Sequence, residues 1–178
     1  MELRLDLHIH SERSPDGCMT LAEIAARARA AGLNGAAVCD HDRTLEEVPE
    51  FPDFLLIPGV EVSTEYGHLL GLFVREPIGT RKFAEAVERI RGQGGLAVLA
   101  HPFEHSRDTG RIAPIAPLLD GVEVWNSRAE RKIADANALA EAPKPTASAA
   151  LPAATPMCPR RSATASQWSG RRRVRWMR

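Results

Sequence analysis

Apolar residues at Leu3, Leu5, Leu7 and Ile9 alternate with Arg4, Asp6, His8 and His10. A period of two is the signature of a half-buried β-strand, on which residues two apart share a face. The pattern therefore sets the imidazoles of His8 and His10 side by side. It breaks at Ser14-Pro15-Asp16-Gly17, a turn by composition. Thr20, with Glu23 three residues on, has the spacing of a capping box, and Leu21, Ile24, Ala25 and Ala28 then share one helical face up to Gly32. The short apolar run from Gly35 to Cys39 follows and ends in Asp40-His41-Asp42. Strand, helix, strand predicts parallel strands joined by a right-handed crossover.

The same alternation of elements continues. Phe54 to Ile57 leads through Pro58-Gly59 into Val60-Glu61-Val62, and Gly67 to Val74 is expected to pair beside it. Lys82 to Arg91 forms an amphipathic helix stopped by the glycines between Gly92 and Gly95. The run from Leu96 to Ala100 then delivers His101-Pro102. Leu118 to Asp120 close a short helix, Gly121 to Asn126 reads as a buried strand, and Ser127 caps a helix to about Glu141. Each apolar strand ends in His, Asp, Glu or Asn. Parallel α/β barrels carry their active sites at the carboxyl ends of their strands. That arrangement converges His8, His10, Asp16, His41, Glu61, His68 and His101 on one mouth.

Composition narrows the setting. A chain of 178 residues can bury one substantial core. No apolar run has the length to span a bilayer, and the N-terminus opens on a patterned strand with no signal-peptide core. Cys18, Cys39 and Cys158 lack metal-knuckle spacing, so free thiols in a reducing cytoplasm are expected. The formal net charge of zero is unevenly distributed. Residues 143–178 carry eight Lys and Arg and no Asp or Glu, which leaves 15 basic and all 23 acidic residues in 1–142, a net of −8. An acidic body suits cations better than it suits nucleic acid. The expected organisation is a catalytic domain over 1–142 and a disordered basic tail over 143–178.

Imidazoles mixed with carboxylates suit Zn, Mn or Fe more than Ca or Mg. The candidates outnumber the ligands of one tetrahedral ion, so two or three divalent ions sharing a carboxylate fit better, with Glu61 as the natural bridge. Such clusters clamp a phosphoryl group and activate water for in-line attack. An amidohydrolase also opens with His-x-His but bridges its metals with a modified lysine. Lys82, Lys132 and Lys144 fall on predicted helices or in the tail, against that reading.

Asp6-Leu7-His8-Ile9-His10-Ser11, Ser14-Pro15-Asp16-Gly17, Asp40-His41-Asp42, Pro58-Gly59-Val60-Glu61-Val62-Ser63, Gly67-His68 and Ala100-His101-Pro102 together resemble the polymerase and histidinol phosphatase (PHP) domain family, in its order, over residues 3 to about 141. The resemblance implies an α/β fold, a distorted (β/α)7 barrel, and a trinuclear site that hydrolyses phosphoesters. It assigns His8 and His10 to a first metal, Glu61 as the bridge, His68 and His101 to a second, and Asp16 and His41 to a third. Asp16 stands where many members have histidine. Glu61, His41 and Asp16 form the expected catalytic set. Arg43, Arg107 and Arg128 are candidates to grip the substrate phosphate. Asp6, Asp40 and Asp42 either orient ligand histidines or cap turns.

The family's last motif, Asp-x-His on the final strand, is missing. Codons able to encode residues 153–164 can, in the neighbouring frame, spell Gly-Ser-Asp-Ala-His-Val-Pro-Glu-Glu-Ile-Gly-Asn, which supplies it. A frameshift near codon 142 is the hypothesis, and it would leave the barrel incomplete at its C-terminal end; resequencing that region tests it. The overall expectation is a cytoplasmic, metal-dependent phosphoesterase acting on a small phosphorylated metabolite or nucleotide, with no membrane partner. The rivals are an impaired remnant serving as a binding module and a nucleic-acid-processing domain, the latter less favoured.

Overall fold

A computed structural model describes residues 3–102, 112–126 and 149–153. Seven strands form one curled, mixed sheet in sequence order: β1 (Leu5–Ile9), β2 (Gly35–Val38), β3 (Leu55–Thr64), β4 (Gly67–Leu72), β5 (Leu96–Leu99), β6 (Gly121–Asn126) and β7 (Ala149–Ala153). Helix α1 (Leu21–Ala30) connects β1 to β2, and α2 (Phe83–Gly92) connects β4 to β5. The sheet curls into a half-barrel. β7 comes near β1, but no hydrogen-bonded ladder joins them among the described residues, so the barrel is incomplete.

The β1-α1-β2 unit is parallel as expected, and Thr20 and Glu23 complete the reciprocal capping box at the start of α1. β3 runs unbroken through Pro58 and Gly59. The parallel pattern reverses at β4, which lies antiparallel to both β3 and β5. Only two residues, Glu65 and Tyr66, separate β3 from β4, and a link that short closes a hairpin, since a parallel pairing needs a crossover of a dozen or more. The short element before β6 is a 3-10 turn at Ala116–Leu118.

Three apolar clusters hold these elements. Ile24, Ala25 and Ala28 of α1 pack on Ile9, Ala36 and Val38. Phe83, Val87 and Ile90 of α2 pack on Val60, Val62, Leu69 and Leu99. Leu7, Ala37, Cys39, Ile57, Leu70, Leu72, Val98 and Ala100 fill the concave side of the sheet. Burying one such Ile or Phe contributes about 1.5–3 kcal/mol. Strict alternation on β1 does not survive folding. Its ladder with β2 shifts register between Asp6 and Ile9, so Leu7 joins the concave cluster while Ile9 faces α1. An extra residue at such a bulge changes which side chains face inward.

β7 lies inside the segment expected to be a disordered tail. Its five residues pair in parallel with β6, Ala149 opposite Gly121 and Ala153 opposite Asn126. The rest of that segment, the expected helix after Ser127 and the residues encoding the alternative Asp-x-His all lie outside the described residues.

Candidate metal centre

Glu61 is the geometric centre of the concave mouth. It sits mid-strand on β3 and is 1% exposed. Five imidazole nitrogens surround its carboxylate. Oε2 faces His8 Nε2 at 3.2 Å, His10 Nε2 at 3.0 Å and His41 Nδ1 at 3.4 Å. Oε1 faces His68 Nδ1 at 3.2 Å and His101 Nε2 at 2.9 Å. Each oxygen thus serves a different set of histidines, the geometry a bridging carboxylate requires.

The strands deliver these groups in different ways. The register shift in β1 leaves His8 and His10 both facing the mouth, their Nε2 atoms 3.0 Å apart. His41 follows β2 and forms an isolated bridge with Glu61. His68 is the second residue of β4, so it enters from the start of its strand, because β4 runs opposite to its neighbours. His101 lies just past β5 with a backbone φ of 22°, a conformation L-residues rarely adopt.

The donor spacings fit metal coordination. Bonds of about 2.0–2.1 Å place neighbouring ligand atoms about 3.0 Å apart in an octahedron and about 3.3 Å apart in a tetrahedron. His8, His10 and Glu61 Oε2 lie at 3.0–3.2 Å from one another. His68, His101 and Glu61 Oε1 lie at 2.9–3.4 Å. Two other triads, His8 with Glu61 and His101, and His10 with His41 and Glu61, also keep their ligand atoms within 4.8 Å. Two imidazole lone pairs at 3.0 Å repel unless a proton or a cation sits between them. The set therefore fits the divalent ions expected from its chemistry.

Electrostatics follow from burial and crowding. Burial alone would lower the His8 pKa, but the charges of Glu61 and Glu123 outweigh it and raise the pKa well above the usual imidazole value. Burial would raise the carboxyl pKa of Glu61, yet the charge of His8 and hydrogen bonds from His10, His101 and His68 hold it far below the carboxylate range. His41 is lowered, first by burial and then by the neighbouring imidazoles of His10 and His68, against the pull of Glu61 and Asp16.

Asp16 Oδ1 lies 2.8 Å from His10 Nδ1 and 2.7 Å from Ser14 Oγ, and its Oδ2 lies 3.6 Å from His41 Nε2. It therefore stands behind one imidazole and beside another. Asp40 takes the turn-capping role, accepting from the backbone N–H and hydroxyl of Ser11 at 2.6 Å each. Asp42 does the same for Ser63, and Asp6 accepts from the backbone N–H of His8. Arg43 is exposed beside the mouth and donates to the Arg13 carbonyl at 3.4 Å. Arg107 and Arg128 lie outside the described residues.

Two residues not singled out from the sequence belong to the site. Glu123 and Asn126, both on β6, are buried, and Glu123 Oε1 lies 3.1 Å from His8 Nδ1. The available signal was a carboxylate and an amide inside an otherwise apolar strand, since an interior strand carries such groups only when they have partners.

Comparisons with known proteins agree with the geometry. MJ1587, an uncharacterized protein of Methanocaldococcus jannaschii, is 33% identical over 144 residues, covering 70% of this chain and 82% of its own. The 5'-3' exoribonuclease Rnm of Escherichia coli is 30% identical over 129 residues, 65% of this chain; the match spans 43% of that enzyme. A two-domain protein of Bacteroides vulgatus containing a predicted PHP-like metal-dependent phosphoesterase shares the fold, with a TM-score of 0.57 at 21% identity over 76% of this chain and 49% of that one. The PHP domain model matches residues 6–147, most of the sequence, and the chain belongs to the PHP domain family.

Proposed function

We propose that the protein is a metal-dependent phosphoesterase that uses water to hydrolyse a phosphomonoester or phosphodiester of a small metabolite or nucleotide. The observation that carries this reading is the division of the Glu61 carboxylate between two sets of imidazoles at coordination spacing. His8, His10, Glu61, His68 and His101 would hold two divalent ions of the Mn, Zn or Fe type, with Asp16 and His41 available to a third. Bound there, such ions supply Lewis acidity toward phosphoryl oxygens and make water more acidic.

The chain's own groups complete the proposal. Glu61 provides the central negative charge. His41 stands at the partly exposed side of the mouth with Asp16 beside it, where it would ligate the third ion or, with none bound, take up a proton. Arg43, with Arg107 and Arg128 as further candidates, would bind phosphate oxygens. A cytoplasmic setting is part of the proposal, since it would keep Cys18 and Cys39 reduced; among the described residues no helix is long and apolar enough to cross a membrane. The likeness to an exoribonuclease favours a second reading in which the substrate is the end of an oligonucleotide.

The test is elemental analysis of the purified chain, followed by hydrolysis of p-nitrophenyl phosphate, its bis ester and a 5'-phosphorylated oligoribonucleotide. Two or more transition ions per chain with turnover of a small ester support the first reading. Turnover of the oligonucleotide alone moves the assignment to the second. A folded chain that takes up no metal refutes both and leaves a binding remnant.

A further inference from the structure

Among the described residues, Glu123 is a buried carboxylate in contact with two of the histidines around Glu61, and the proposed chemistry gives it no task. It is 1% exposed, on β6, across the sheet from β1. Its two oxygens reach two different strands. Oε1 lies 3.1 Å from His8 Nδ1, while Oε2 accepts the backbone N–H of His101 at 2.6 Å. Asn126, three residues on, donates from Nδ2 to both oxygens at 3.1 and 3.2 Å. The carboxylate is therefore held from behind and points forward with both acceptors in use.

We propose that Glu123 is a positioning residue that sets two candidate metal ligands, one on each side of the Glu61 carboxylate, His8 through its ring and His101 through its backbone. This inference rests on the metal-site reading above. His8, Glu61 and His101 also form a wider triad with ligand atoms within 4.8 Å, while His8 sits in the tight set with His10 and His101 in the tight set with His68, so Glu123 braces one histidine on each side of the Glu61 carboxylate. A carboxylate facing Nδ1 keeps the proton there and leaves the Nε2 lone pair directed at the metal position, as the outer partners of ligating histidines generally do. The second contact answers a backbone problem. His101 takes a positive φ without being glycine, and the short bond from its N–H to Glu123 holds that turn in place.

Only a carboxylate can perform both tasks. A glutamine has one acceptor oxygen and one NH2 group, so it satisfies either His8 Nδ1–H or the His101 N–H, never both. An aspartate keeps both acceptors but is one methylene short.

The experiment compares wild type, Glu123→Gln and Asn126→Ala by titrating Co(II) into chelator-treated protein, reading affinity and visible absorption, with circular dichroism as the check on folding. The expected result is a 10–100-fold loss of affinity in E123Q with an altered visible band, the range found when an outer partner of a ligand is removed. N126A, which leaves the carboxylate in place, is expected to lose several-fold and serves as the test if E123Q does not fold. A purely structural role predicts a lower melting temperature with unchanged Co(II) affinity and spectrum, and that result overturns the assignment. Wild type binding Co(II) while E123Q or N126A binds equally well removes this inference alone; wild type binding none removes the metal reading with it.

Discussion

Glu61→Gln is the sharpest perturbation of the site, because it keeps volume and shape while deleting the charge. Both oxygens of Glu61 are engaged, Oε1 by two imidazoles and Oε2 by three. In glutamine one of those positions becomes an NH2 group, which cannot ligate, so at least one donor set loses its shared carboxylate. Loss of a partner behind a ligand already costs about 10–100-fold in metal affinity, so loss of the ligand itself is expected to cost at least about 100-fold, or about 2.7 kcal/mol. Elemental analysis should show at least one ion fewer per chain.

The same substitution has a metal-free consequence whose sign can be worked out. Glu61 is lowered from its usual 4.5, so its pairing stabilises the fold above about pH 4.5 and is lost as the pH falls through the depressed value. His8 is raised from 6.5, so its contribution is full below about pH 6.5 and is lost as the pH climbs through the raised value. The pair is worth most between these two limits. Breaking a buried pair costs about 3–5 kcal/mol, and for a chain of this size each kcal/mol moves Tm by about 2–4 °C. Thermal melts of chelator-treated protein at about pH 5.5 and in mild alkali measure it. The largest gap between wild type and variant is expected at the acidic point. A folded variant with wild-type metal content, or a gap that widens in alkali, would refute the reasoning.

Other perturbations test separate links. Gly17→Ala would place a Cβ 1.9 Å from the Ser11 carbonyl oxygen, so the turn carrying Ser14 and Asp16 must move; reduced metal occupancy with little change in circular dichroism is expected. Thr20→Ala removes the N-cap of α1, which accepts from the Glu23 N–H, and should cost about 1 kcal/mol, or about 2–4 °C by calorimetry, without altering metal content. Cys39 is fully buried, and burial with the nearby carboxylates pushes its thiol pKa up; mass mapping after iodoacetamide should find Cys18 alkylated and Cys39 protected until denaturant is added.

The histidines that gather around Glu61 were readable in the sequence because each stands in a short polar stretch beside an apolar run. Their approach was not. His68 lies at the start of β4, and only the two-residue link to β3 reverses that strand and brings its first residues to the mouth. The rule that sites gather at carboxyl ends therefore placed His68 at the mouth by a route that does not apply to it. The register shift in β1 was hidden as well, since Leu7 and Ile9 look equivalent in a period-two pattern yet join different cores. Glu123 escaped notice because its partners, His8 Nδ1 and the His101 N–H, come from distant parts of the chain. β7 was obscured by an Ala- and Pro-rich composition with no periodicity, which carries almost no local preference for a strand.

The hairpin of β3 and β4 also bears on the order in which the centre can assemble. Hairpins form in about 1–10 μs, whereas contacts between remote segments must first meet the entropy of closing a long loop. Glu61 and His68 sit on adjacent arms of one hairpin and can meet while the rest of the chain is still unfolded. His101 joins Glu61 across 40 residues, and Glu123 reaches His8 across 115. During synthesis the bridging carboxylate would thus acquire its first imidazole early, and the brace behind His8 only once β6 has emerged. A nascent chain halted before β6 would hold Glu61 and His68 together without the carboxylate behind His8, a looser cluster than the finished fold.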